Sequence, residues 1–184
     1  MKSTDQLEAE HRGIGVMLRV LDVVAGRIEG GKTVPPADLD AILEFLSVFA
    51  DRCHHGKEEE HLFPALEAAG VPREGGPIGV LLEEHRRGRA LIASMTEAAA
   101  ALKAGKPGAA GRFAASARDY IALLTEHIRK ENEVLFRLAG ARLNPRQDRA
   151  ILKAFDRLEI ERIGEGRHEQ FHALLERLDE TYPA

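Results

Sequence analysis

Two copies of one spacing, His55-Gly-Lys-Glu-Glu59 and His127-Ile-Arg-Lys-Glu131, each fall inside a long helix-favouring stretch. Residues four apart share a helix face, so each copy points one imidazole and one carboxylate the same way. Each is half of a metal site. His11 and His85 lie within the two other long helical stretches. Such a chain is constrained to set four helices side by side, each offering a ligand at a similar depth.

Gly and Pro punctuation divides the chain into helices, and no segment sustains the period-two alternation of a strand. The first helix opens at Ser3-Thr-Asp-Gln6, a capping box by pattern, and stops at Gly30-Gly31. The second runs from about Ala37 to Ala69, with Gly70 as a left-handed cap and Pro64 loosening its last turns. The third spans Pro77 to about Lys103. The fourth follows Pro107 to about Ala139, with Tyr120, Leu124, His127, Glu131 and Leu135 on one stripe. A fifth opens at Asn144-Pro145, with Gln147 closing a capping box, and Gly164-Glu-Gly166 precedes a terminal helix. Short connections between long helices imply antiparallel neighbours. The expected fold is all-α: an antiparallel up-down-up-down four-helix bundle over residues 1–140, with additional C-terminal helices over 141–184 packed on the same domain.

A chain of 184 residues with 44% hydrophobic content suffices for one continuous core. A net charge of -4 supplies no basic field, so neither nucleic acid nor an anionic membrane surface is an expected partner. The Arg86-Arg87-Arg89 cluster reads as a solvated helix edge. Cys53 is the only cysteine, which forbids an intrachain disulfide and gives no sign of an oxidising compartment. The N-terminus has no apolar signal core and no window is apolar enough to span a membrane, so the expected location is cytoplasmic.

Imidazole suits iron, copper and zinc, and a carboxylate can give its two oxygens to two ions. Glu59 and Glu131, arriving from different helices, are placed to bridge a metal pair about 3.5 to 4 Å apart. His11 and His55 would complete one ion, and His85 and His127 the other. Left without cations, two buried glutamates would cost several kcal/mol each or take up protons.

The order Glu10-His11-Arg12, His55-x-x-x-Glu59 followed by Leu62-Phe63-Pro64, Glu84-His85, then His127-Ile-x-x-Glu131 resembles the hemerythrin-like (HHE) family of cation-binding bundles. The resemblance covers residues 1 to about 139. It implies two iron ions in a bridged non-haem di-iron centre, and reversible binding of O2 or sensing of O2, iron or NO. Zinc and manganese suit the same donors.

Two departures accompany the match. Oxygen-carrying members supply two histidines four residues apart on the third helix, whereas this chain has His85 and then Arg89. Their final carboxylate follows its histidine by five residues, and here Glu131 follows His127 by four. His168 is the preferred replacement for the missing nitrogen, because Gly164 and Gly166 let the last helix fold over the bundle end. It reads equally as a surface histidine beside Phe171 and Leu175. Arg89 either donates near the metals or reaches solvent. Tyr120 offers a hydroxyl near the metals or a tip at the bundle edge.

His54 points about 100° away from His55 around an α-helix, so ligation is assigned to His55, whose partner Glu59 falls on the Leu62/Leu66 face. Glu58 and Glu60 flank that partner and read as solvated or supporting residues, not as ligands, and His61 and His172 read as exposed or half-buried. A rival, the Glu-x-x-His pattern of ferritin-like enzymes, occurs at Glu8/His11 and Glu58/His61, but on adjacent helices instead of alternate ones. An open coordination position would also suit a di-iron oxidase, peroxidase or ferroxidase, and a regulatory bundle with a structural metal is a third possibility. The C-terminal helices complete the site, cover its mouth or form a homodimer contact.

Overall fold

The computed structural model describes residues 1–183, and the described residues contain no strand. Six helices follow in order. α1 is Lys2–Glu29, and α2 runs without a break over residues 36–68. α3 is Pro77–Lys103, α4 covers residues 109–142, α5 is Pro145–Arg162 and α6 is Arg167–Thr181. The first four form the antiparallel bundle, with α1 against α4, α4 against α3, and α3 against α2. α5 and α6 lie across α1 and α2. No helix among the described residues is long and apolar enough to cross a membrane.

The helix ends follow the punctuation, with one exception. Asn144 Oδ1 accepts from the backbone N–H groups of Arg146 (2.9 Å) and Gln147 (3.0 Å), and Gln147 Oε1 accepts from the Asn144 N–H (2.9 Å), closing the expected box. Gly70, at φ +87°, takes the left-handed conformation that lets the chain leave α2. The Ser3/Gln6 box does not form. Instead Asp148, from the first turns of α5, accepts from the N–H groups of Lys2 (3.1 Å) and Ser3 (3.0 Å) and from the Ser3 hydroxyl (2.6 Å). A carboxylate at a helix N-terminus satisfies orphan donors and meets the positive end of the helix dipole, so capping from another helix displaces the local box.

Two apolar clusters make the core. One holds Met17, Phe45, Phe49, Phe113 and Tyr120 together with Phe171, Leu178 and Tyr182 of the C-terminal segment. The other holds Leu7, Phe63, Leu81 and Phe136 with Phe155 of α5. On every bundle helix a gap separates the two clusters: between Leu7 and Ile14, Ala50 and Leu62, Leu81 and Ile92, Leu124 and Leu135. The buried histidines and glutamates fill that gap, as one polar layer between two dry plugs.

Around this layer the backbone departs from α geometry. Phe45–His55 and Glu58–Leu62 within α2, and Glu131–Leu135 within α4, are π-helical. Bonding from i to i+5 widens the turn and changes which residues face inward, a distortion frequent at functional sites.

Candidate metal centre

The ligand-type atoms of His55, Glu58, His85 and His127 all lie within 4.8 Å of one another, and those of His11, His54, Glu58 and Glu131 do the same. All seven side chains are buried. Glu58 belongs to both groups. Glu131 joins them from the opposite side, with Oε2 3.1 Å from His11 Nε2 and Oε1 3.2 Å from His127 Nε2.

Of the sequence-derived positions, the structure brings together His11, His55, His85, His127 and Glu131. It does not bring Glu59 or His168. Glu59 is about a quarter exposed, and its Oε1 accepts from Arg89 Nη2 at 2.7 Å and from His85 Nδ1 at 2.7 Å. His168 sits on α6 with Nδ1 3.1 Å from Glu159 Oε1. The expected pairing of His11 with His55 also changes: His54 joins His11, while His55 stacks on His85 with ring centroids 3.9 Å apart and completes the other group.

The physical reason for missing His54 and Glu58 is the helix itself. Alignment of Glu59 with Leu62 and Leu66 assumed 3.6 residues per turn, which does not hold through a π segment. Residues 53–58 are buried without interruption, because α5 covers the back of α2 and Leu158 approaches Gly56. An amphipathic stripe cannot be read from a stretch buried all round. The usable signal was the doubled pattern, since His54/Glu58 and His55/Glu59 carry the same four-residue spacing. Adjacent imidazoles diverge by about 100° in α geometry, and the structure sends them to neighbouring groups. Glu8 and His61 lie outside both groups, so the Glu-x-x-His reading has no geometric counterpart.

Each of the five imidazoles is held from behind at Nδ1. His11 donates to Asn132 (2.8 Å), His54 to Glu10 (2.8 Å), His55 to Asp51 (3.3 Å), His85 to Glu59 (2.7 Å) and His127 to Glu84 (2.9 Å). An oxygen acceptor fixes a proton on Nδ1, so each Nε2 is turned inward and presents a lone pair when its ring is neutral. Arg89 stands where a second histidine of the third helix was expected. It donates to Asp51 at 2.8 Å and to Glu59 at 2.7 Å, and so supports two of these orienting carboxylates.

In the metal-free site the electrostatics divide the ligand set into groups held ready to donate and groups held protonated. Burial holds His54, His55 and His85 below the ordinary imidazole range, His85 at about 3, and so in the neutral ligating form. For His127 burial is outweighed by Glu131 and Glu84, which lift it to about 9. Burial and the facing Glu131 push Glu58 well above the usual carboxylate range. Glu131 resists burial because His127 and His11 face it, and it lies well below that range.

Several of these atoms meet without satisfying one another. His11 Nε2, His55 Nε2 and all four carboxylate oxygens of Glu58 and Glu131 are buried and lack a hydrogen bond of acceptable geometry. Buried polar groups are normally paired. Oxygens and nitrogens converging on the interior are what metal cations require, and the donor set fits them.

The family model described as hemerythrin HHE cation binding domain matches residues 2–139. The chain is also similar to uncharacterized proteins of Mycobacterium tuberculosis and Mycobacterium bovis, each 27% identical over 164 residues. These alignments cover 88% of this chain and 62% of each relative, so the chain spans less than two thirds of their length. No solved structure matches.

Proposed function

We propose, from the premise that the chain belongs to the hemerythrin HHE cation-binding family, that it is a non-haem di-iron protein that binds or senses O2 or NO. The observation that supports the reading is the buried polar layer: five oriented imidazoles surround two carboxylates, and His11 Nε2, His55 Nε2 and all four oxygens of Glu58 and Glu131 are unsatisfied. His55, His85 and His127 would hold one ion, His11 and His54 the other, with Glu58 and Glu131 shared. The half containing His11 and His54 has one fewer imidazole, which leaves it room for an exogenous ligand.

Iron bound there supplies a redox-active position for a diatomic molecule. The chain contributes orientation and dryness, through the Nδ1 contacts and the apolar plugs on either side. A groove of about 470 Å³ between α1 and α4 reaches His11 past Leu18, Ile121 and Ile128, with Arg19 and Asp22 beside it. Its apolar walls suit entry of a small neutral ligand.

The test is metal analysis joined to an absorption spectrum. Protein loaded anaerobically with ferrous iron is expected to keep about two ions per chain after desalting, and to show a visible absorption change on O2 addition that reverses under vacuum. Absence of retained iron overturns the proposal. Sustained consumption of O2 or peroxide in the presence of a reductant would replace carrier or sensor with an oxidase or peroxidase.

A further inference from the structure

Lys57, in the middle of α2, is completely buried. Its Nζ donates to Glu10 Oε1 at 2.6 Å and to Glu159 Oε2 at 2.7 Å. Glu10 turns its other oxygen, Oε2, to His54 Nδ1 at 2.8 Å. One polar line therefore runs from His54 through Glu10 and Lys57 to Glu159, crossing from the bundle to α5.

A buried lysine is costly unless paired on every side, and an apolar side chain of similar volume would fill the space more cheaply. Its presence is therefore informative. The other histidines lack such an outlet: Asn132 and Glu84 belong to α4 and α3, and Asp51 and Glu59 are tied by Arg89 of α3. Among the described residues only His54 is held by a line that continues into the C-terminal helices. Glu159 also lies outside the family match, which ends at residue 139.

We infer that α5 is a strap on one half of the centre: Glu159 fixes Lys57, Lys57 fixes Glu10, and Glu10 orients His54. Docking of the C-terminal helices thereby sets the grip on the ion held by His11 and His54, and not on the ion held by His55, His85 and His127. This rests on the dinuclear reading above. Glu159 is a positioning residue, and it touches no proposed ligand. Partners that orient a metal-binding imidazole typically change metal affinity 10- to 100-fold.

The experiment compares wild type with Glu159→Ala, Glu159→Gln and, as control, Arg162→Ala. Arg162 also ties α5 to α2, through Glu60 at 2.5 Å, but does not touch Lys57. Iron release into a chromophoric chelator is followed in the intact chain. In Glu159→Ala one of two phases is expected to accelerate about tenfold while the other is unchanged. Glu159→Gln, which keeps an acceptor for Lys57, falls between, and Arg162→Ala matches wild type. In metal-free protein, nitrogen-15 NMR should show faster exchange of the His54 Nδ1 proton in Glu159→Ala, with that of His85 unaffected. Equal acceleration of both phases, or no change in either, overturns the strap while leaving the dinuclear reading intact. Wild type that retains no iron overturns both.

Discussion

His85 Nε2 and His127 Nε2 face each other at 3.0 Å across α3 and α4, each ring pinned from behind by a glutamate. Two imidazoles so arranged share either a proton or a cation. Replacing His127 with Ala removes one of the facing nitrogens and the contact to Glu131. Iron content is expected to fall from about two ions per chain to about one, with the far-ultraviolet circular dichroism unchanged. Retention of both ions in His127→Ala would show that this pair does not bind metal.

Glu58 and Glu59 are neighbours with opposite surroundings, one fully buried without a hydrogen bond and one tied to Arg89 and His85. Glu58→Gln should abolish binding of two ions. The metal-free protein should keep its stability, because burial and the facing Glu131 already hold Glu58 in its neutral form and Gln is neutral and of similar size. Glu59→Gln should retain both ions with weakened affinity. Paired metal analysis and chemical denaturation separate the two, and equal loss of iron in both variants would count against the shared role of Glu58.

Arg89 is 42% exposed, so its pairs with Asp51 and Glu59 add little to stability, about 1 kcal/mol at most. Their effect on metal should be larger, since both carboxylates orient imidazoles. Arg89→Ala is expected to lower affinity at the His55/His85/His127 position about tenfold and to leave the melting curve of the metal-free protein nearly unchanged. A variant that melts much earlier yet binds iron normally would reverse this assignment.

Asp148 caps α1 from α5. Partial burial alone would raise its pKa, but the Ser3 hydroxyl and the Ser3 and Lys2 N–H groups outweigh that and lower it. A carboxyl depressed in the folded state stabilises above its unfolded pKa, near 3.9, and loses that contribution as pH falls through the folded value. Asp148→Ala is expected to cost about 1 kcal/mol at pH 7, with the gap from wild type narrowing below about pH 4. A gap independent of pH in urea titrations would rule out a charged cap.

Much of the architecture was legible locally. Gly70, Pro77 and Asn144 mark helix boundaries because their backbone preferences act over one or two residues. His11, His85, His127 and Glu131 emerged because α1, α3 and the part of α4 before Glu131 keep ordinary α periodicity. Asp148 was invisible as a cap, since nothing local marks an acceptor delivered from another helix.

The amino-acid order by itself determined an all-helical bundle with histidines and glutamates at matching depths, because helix propensity, turn chemistry and i/i+4 spacing are short-range properties. Only the packed molecule decided that Glu58 faces inward and Glu59 does not, that His54 and His55 part toward different groups, and that His168 stays with Glu159. Those choices follow from the widened turns of α2 and from α5 lying across its back, where burial on all sides erases the amphipathic stripe that sequence reasoning depends on.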